Sequence, residues 1–212
     1  MITGIGQGYI QTTPLQLCQM TAQLANGGFK IYPKIIVEKN TKTAEDIRVI
    51  MNENRRNFNE KSDGLEDAKK LLGFLDKKEH EPLFKNVKNV NLVREAMFAS
   101  TNEVRGTSYS SRIDNPKYQF AGKTGTSQVK RITEAARELN LKTFEIPYND
   151  RDHALYIAFG PYKNPRYALS IVVEHGGSGS ATAAPMAKKL FKLIVDRHEF
   201  REKMRSQQSI KI

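Results

Sequence analysis

Cysteine is nearly absent from this 212-residue chain, which holds Cys18 alone. One cysteine excludes an internal disulfide and a cysteine-based zinc site. Cys18 falls within an apolar helical pattern, which points to a small buried hydrophobe and not to a reactive thiol. Long apolar runs are also lacking, and none reaches the roughly 18 residues that a membrane-crossing helix requires. Met1-Ile2-Thr3-Gly4-Ile5-Gly6 has neither the basic start nor the apolar stretch of a secretory signal. The expectation from these residues is a chain with no visible route out of the cytoplasm. Histidine is scarce, with His80 in a polar region and His153 and His175 at the ends of strand-like runs. No metal set is evident, and neither a metal nor another cofactor is expected.

What is plentiful is positive charge, with a formal net value of +11. Such a charge raises nucleic acid as a partner. The cations are not gathered in one arm, however, and no aromatic-plus-basic pattern or zinc-knuckle spacing accompanies them. A nucleic-acid partner is therefore not expected. The end of the chain, Lys188 to Lys211, is its most basic part, and it reads as a solvated surface of the sort found near anionic lipid heads. Hydrophobic residues make up 39% and charged residues 27%. That balance predicts folded segments separated by a polar stretch.

The pattern divides the chain into a glycine-rich segment and helix at 1–38, a polar insertion at 39–88, a sheet with its final helix at 89–196, and a basic tail at 197–212. Gly4-Ile5-Gly6-Gln7-Gly8 packs three glycines into five residues. Thr12 or Thr13 is placed to cap a helix, Pro14 suits its first position, and Gly27-Gly28 can stop it. Leu15, Cys18, Ala22 and Ala25 make one stripe, with Leu17 and Leu24 beside it and Gln16, Gln19 and Gln23 opposite. The width of that apolar side predicts a mostly buried helix. The insertion is rich in Asn, Lys and Glu, and Leu65, Ala68, Leu71, Leu72 and Leu75 predict one helix over 65–78.

Beyond it, 90–102 reads as a helix with Val93, Met97 and Phe98 on its apolar side. Residues 118–129 read as a strand, and 131–139 as a short helix. Two nearly continuous apolar runs, 154–159 and 167–174, read as a hairpin closed through Gly160-Pro161 and Pro165-Arg166. Such runs predict a sheet covered by helices on both faces. His175-Gly176-Gly177-Ser178-Gly179 lacks the Gly-Lys-Ser/Thr ending of a phosphate loop, so it reads as a tight turn. It leads into a last helix with Ala183, Ala187, Leu190 and Ile194 inward, and Lys188 and Lys192 outward. Three antiparallel strands followed by a helix packed back across them predict a layered α+β domain.

Chemistry concentrates at Lys123-Thr124-Gly125-Thr126. Glycine weakens a strand, so Gly122 and Gly125 around a lysine ask for a reason. Without a Cβ at 125, another backbone can approach and pair along the edge. The Lys123 ammonium can attract a carboxylate, and the Thr124 and Thr126 hydroxyls can donate to the same group. The set suits a peptide ending in a free carboxylate. A bare Lys-Thr-Gly recurs by chance, but here it stands in an ordered series. Thr3-Gly4-Ile5-Gly6-Gln7-Gly8-Tyr9 and Thr13-Pro14-Leu15-Gln16 precede it. The run 152–159, then 167–177, then Ala183-Ala184-Pro185 follow it.

Over roughly 1–38 and 89–196 this series resembles the class B penicillin-binding proteins, most of all their penicillin-binding protein 2 branch. The resemblance implies the penicillin-binding protein and serine β-lactamase-like fold, here incomplete. The Gly-Gln-Gly segment and Ala183-Ala184-Pro185 favour the penicillin-binding side over the β-lactamase side. It also implies a serine D,D-transpeptidase that cross-links peptidoglycan stem peptides and is acylated by β-lactams, at the periplasmic face of the inner membrane. Lys123, Thr124, Gly125 and Thr126 would then be substrate-binding residues. The family's other two motifs, Ser-x-x-Lys and Ser-x-Asn, come before its Gly-Gln-Gly region. The nucleophile is therefore expected outside this chain, on an N-terminal fragment of the same protein, and this chain alone is expected to be inactive. Ser127-Gln128-Val129-Lys130 fits Ser-x-x-Lys literally but continues a strand, where the two side chains do not share a helix face. Ser100-Thr101-Asn102 fits Ser-x-Asn but ends a helix close before Lys123. An inactive relic or partner-binding module of the same fold is the alternative.

Overall fold

The computed structural model describes residues 11–33, 82–130 and 141–209, with side chains up to residue 204. The glycine-rich opening, most of the polar insertion with its expected helix at 65–78, and the expected helix at 131–139 lie outside the described residues.

Helix α1 runs Pro14–Ala25, and its ends follow from its sequence. Thr13 Oγ1 accepts from the Gln16 N–H at 3.2 Å, while Gln16 Oε1 accepts from the Thr13 N–H at 2.8 Å. This reciprocal pair satisfies donors that the first turn leaves open. At the other end Gly27 and Gly28 take φ of 97° and 96°, left-handed values that stop the helix. The helix is less buried than its wide apolar side predicts. Only Thr21 and Ala25 are buried, and Leu15 is 64% exposed. The Thr21–Ala25 side meets the sheet, whereas no described residue covers the Leu15 side.

Helix α2 spans Val87–Asn102, capped by Asn86, whose Oδ1 accepts from the Lys88 N–H at 2.9 Å. Its buried positions are Val90, Arg94, Met97 and Thr101. Val93, expected inward, is exposed, and Arg94 takes the inner place. The Arg94 guanidinium lies 5.8 Å from the centre of the Phe159 ring, so a long cationic stem does the packing.

Strands β1 (Ala121–Ser127), β2 (His153–Gly160) and β3 (Tyr167–Val173) form an antiparallel sheet in the order β1-β2-β3. Lys123 stands opposite Ile157, and Gly125 opposite Leu155. Side chains alternate across the sheet. Ala154, Tyr156 and Ala158 pack with Ala184, Ala187 and Phe191 on one face. Ala121 and Phe159 pack with Ala25 and Met97 on the other. Helices thus cover both faces, as the apolar runs predict.

Helix α3 spans Ala184–Ser209 and follows a π-helical turn, Gly179–Ala183. Its inner face differs from the expected one. Ala184, Ala187, Phe191 and Val195 are buried, while Leu190 is 42% exposed. Ala187 belongs to both stripes, so spacing alone does not choose between them. Phe191 chooses, because its ring stacks on Phe120 at 4.9 Å and 18°. The turn before α3 is tight, with His175 at φ 55° and Gly177 at φ 74°.

Candidate active site

Among the described residues strand β1 is the end strand of the sheet, and β2 pairs with one side of it only. In an antiparallel strand the N–H and C=O of one residue point to the same side, and the side alternates along the chain. The Gly122 carbonyl faces Thr101, and the Thr124 carbonyl accepts from Lys123 Nζ at 2.8 Å. Both therefore point away from β2. By alternation Gly122, Thr124 and Thr126 present their main-chain groups to the outer edge.

Lys123 lies on the face shared with Ile157. Its side chain borders a groove of about 560 Å³, lined also by Met20 and Leu24 of α1 and Val93 and Met97 of α2. Lys123 itself is exposed and Thr124 half-buried. Lys123 Nζ lies 3.4 Å from Thr124 Oγ1, which is 3.3 Å from Thr107 Oγ1, which is 3.2 Å from Ser100 Oγ. A chain of hydroxyls therefore runs from α2 to the ammonium. Gly106 makes the loop possible, since a Cβ there would stand 2.3 Å from the Ser100 carbonyl oxygen. Thr126 is exposed further along β1.

Gly122 has a reason of its own inside the fold. Tyr156 passes beneath Gly122, where a Cβ would come within 2.3 Å of its hydroxyl. That hydroxyl lies 2.9 Å from Thr101 Oγ1 and 3.0 Å from Ser108 Oγ. Burial pushes the phenol pKa up, and the bonds to Ser108 and Thr101 oppose it. Asn102 Nδ2 donates to the Phe120 carbonyl at 2.9 Å. Together these contacts bind the end of α2 to the start of β1 and fix Lys123 above them. A Cβ at Gly125 would meet only the Leu155 Cβ, at 3.3 Å, and it is Gly179 that must lack one to pack on the Gly125 main chain. A Cβ at 179 would meet Gly125 O at 2.6 Å and Leu155 O at 2.5 Å. Sequence reasoning missed Tyr156, Ser108 and Gly179, and the glycine at 122 was the one available signal for the first two. Tyr156→Phe should lower unfolding free energy by about 1–3 kcal/mol, because Thr101 and Ser108 lose a buried partner. Urea denaturation of the chain measures it.

The look-alike motifs have other occupations. Ser127 ends β1, and Lys130 pairs with Asp150 at 2.8 Å, so no helix turn joins serine to lysine. In the other, Ser100 bonds Thr107, Thr101 is buried against Tyr156, and Asn102 holds Phe120. His153 Nδ1 accepts from the His175 N–H at 2.9 Å, a structural role. Cys18 Sγ lies 3.5 Å from the Ala168 carbonyl, and burial raises its pKa. Among the described residues no group of three or more His, Cys, Asp or Glu side chains is placed to hold a metal.

A three-stranded antiparallel sheet between helices, with Lys-Thr-Gly-Thr on its end strand, is the α+β arrangement of the penicillin-binding protein and serine β-lactamase-like fold. The family model for the penicillin-binding protein transpeptidase domain matches residues 1–192, and the chain belongs to that family. Among curated relatives, the peptidoglycan D,D-transpeptidase MrdA of Salmonella typhimurium strain SL1344 is 34% identical over 194 residues. The match takes in 91% of this chain and 26% of the relative. MrdA of Escherichia coli K12 is 29% identical over 189 residues, 88% of this chain and 25% of the relative. Solved structures agree. The Helicobacter pylori PBP2 in complex with MreC superposes with a TM-score of 0.59 at 26% identity, covering 91% of this chain and 27% of that one. Pseudomonas aeruginosa PBP2 in complex with WCK 5153 gives 0.53 at 29% identity, covering 88% and 30%. The chain is thus a transpeptidase-domain portion homologous to the PBP2 enzymes, and it spans about a quarter of the curated relatives it matches.

Proposed function

We propose that this chain supplies the substrate-holding wall of a serine D,D-transpeptidase site whose nucleophile stands on another part of the protein. The carrying observation is the outer edge of β1, where Thr124 and Thr126 turn their main-chain groups outward beside Lys123. A peptidoglycan stem peptide ending in D-Ala-D-Ala would lie along this edge as an added strand. Its carboxylate would meet the Lys123 ammonium and the Thr124 and Thr126 hydroxyls. The serine would attack the penultimate carbonyl, whose oxygen gains negative charge near the Thr126 N–H. The terminal D-Ala leaves as amine, the acyl group stays on the serine, and an amine from another strand resolves it. A β-lactam would enter the same place and remain as the acyl-enzyme.

Several features support an external nucleophile. The one Ser-x-x-Lys in the sequence, Ser127 to Lys130, lies at a strand end, and its lysine is paired with Asp150. The groove beside Lys123 is walled largely by apolar side chains of α1 and α2, Met20, Leu24, Val93 and Met97 among them. The cell-wall substrate, the β-lactam ligand, the complementing N-terminal fragment and a place on the periplasmic side of the inner membrane all belong to this reading.

Fluorescent penicillin tests it. The 212-residue chain alone should carry no label that survives denaturation. A stable band would contradict the reading, and its loss in Ser127→Ala would name the serine responsible.

A further inference from the structure

Ser100 and Thr107 stand beside the β1 edge, outside the set that meets the substrate. Thr107 Oγ1 lies 3.3 Å from Thr124 Oγ1 and 3.2 Å from Ser100 Oγ. The fold needs neither link. The turn that carries Thr107 is already tied to α2 by other bonds. The Ser108 N–H and the Ser108 hydroxyl each donate to the Ser100 carbonyl at 3.0 Å, and the Gly106 N–H donates to the Glu103 carbonyl at 2.8 Å. Thr107 itself is exposed, and hydroxyls in contact with water add little to stability. Thr107 is thus held from both flanks, and what the turn delivers is a hydroxyl next to Thr124.

The direction of the protons gives that hydroxyl a task. A hydroxyl has one proton and two lone pairs, an ammonium only protons, and a carboxylate only lone pairs. Lys123 Nζ, 3.4 Å from Thr124 Oγ1, can only donate to it. When Thr107 donates as well, both lone pairs of Thr124 Oγ1 are filled. Its proton is then left with the outward direction, where a carboxylate would accept it. Thr107 can give its proton forward because Ser100 can donate to it from behind. Donation from Ser100 to Thr107 to Thr124 to carboxylate runs one way, and each bond polarises the next. The reverse order would turn the Thr124 proton back towards Thr107 and offer the carboxylate a lone pair, which repels it.

We propose that Thr107, backed by Ser100, is a positioning residue of the transpeptidase site that aims the Thr124 hydroxyl proton at the free carboxylate of the incoming peptide. The inference rests on the reading of β1 as the substrate-holding wall. It adds residues that touch no substrate atom and act through Thr124. A peptide without a terminal carboxylate would gain nothing from this chain of donors, so Thr107 sharpens the selection of a free end.

Acylation kinetics with a chromogenic cephalosporin test the inference in a chain extended upstream to include a helical Ser-x-x-Lys. Thr107→Val keeps the shape and removes the hydroxyl, and it should lower the second-order rate constant by about five- to tenfold. Ser100→Ala should lower it by about two- to threefold, and it carries the same test should Thr107→Val melt early. Thr107→Ser should restore the rate. In a Thr124→Val background, Thr107→Val should change the rate by less than about twofold, because the hydroxyl it aims is gone. A merely structural Thr107 would give additive losses instead. With Lys123→Ala slow, a wild-type rate in Thr107→Val, equal losses in Thr107→Ser and Thr107→Val, or additive losses would each overturn the inference alone. A wild-type rate in Lys123→Ala would remove the reading of β1, and this inference with it.

Discussion

Lys123→Ala should lower the rate of β-lactam acylation by about a hundredfold or more in a chain extended upstream to include a helical Ser-x-x-Lys. The ammonium is exposed at the mouth of the groove, so its loss should cost little stability. It is the one fixed positive charge described on β1, where an incoming carboxylate would need it. The hydroxyls of Thr124 and Thr107 would remain but carry no charge. Stopped-flow acylation with a chromogenic cephalosporin measures the rate, and a matching melting curve separates chemistry from unfolding. Lys123→Arg should recover only part of the rate, because a planar guanidinium does not reproduce the compact ammonium. Wild-type acylation in Lys123→Ala would remove the residue from the site.

Gly179→Ala should produce the largest loss of stability, about 3 kcal/mol. The added Cβ would stand 2.5 Å from Leu155 O and 2.6 Å from Gly125 O. Both are main-chain atoms held in the β1–β2 ladder, so neither can turn aside as a side chain can. Relief requires the π turn to lift from the sheet, taking the start of α3 and the Ala183–Ala184 packing with it. Because the clash lies on Gly125, the same change should also disturb the edge that carries Thr124 and Thr126. Gly122→Ala should be milder, since its neighbour is the end of the Tyr156 side chain. Urea denaturation of both variants orders them, and equal stability would show that the π turn is free to shift.

Local rules carried the reading furthest where the deciding contacts are close in sequence. Thr13, Pro14, Gln16, Gly27 and Gly28 fix both ends of α1 through bonds spanning three to five residues. The three strands follow from apolar runs interrupted by turn residues. Burial was less legible. Whether Val93 or Arg94 points inward depends on the Phe159 ring, 65 positions away from Arg94 in the chain. Whether Leu190 or Phe191 does so depends on Phe120. The motif at Lys123 was legible through its ordered neighbours, and the Lys123 ammonium lies 3.4 Å from the Thr124 hydroxyl beside the outer edge of β1. Its supports were not. Tyr156 and Thr101 lie 55 residues apart, and no periodicity links a tyrosine on β2 to the end of α2. Gly179 read as a turn residue, and its contact with Gly125 arises only when the sheet is assembled.

The most direct measurement is a crystal structure of the upstream-extended protein acylated by a β-lactam. The drug's carboxylate is expected about 3 Å from the Thr124 or Thr126 hydroxyls, and its acyl oxygen at the Thr126 N–H. An acyl group seated away from 123–126, or attached to Ser127, would contradict the assignment of β1 as the substrate-holding wall.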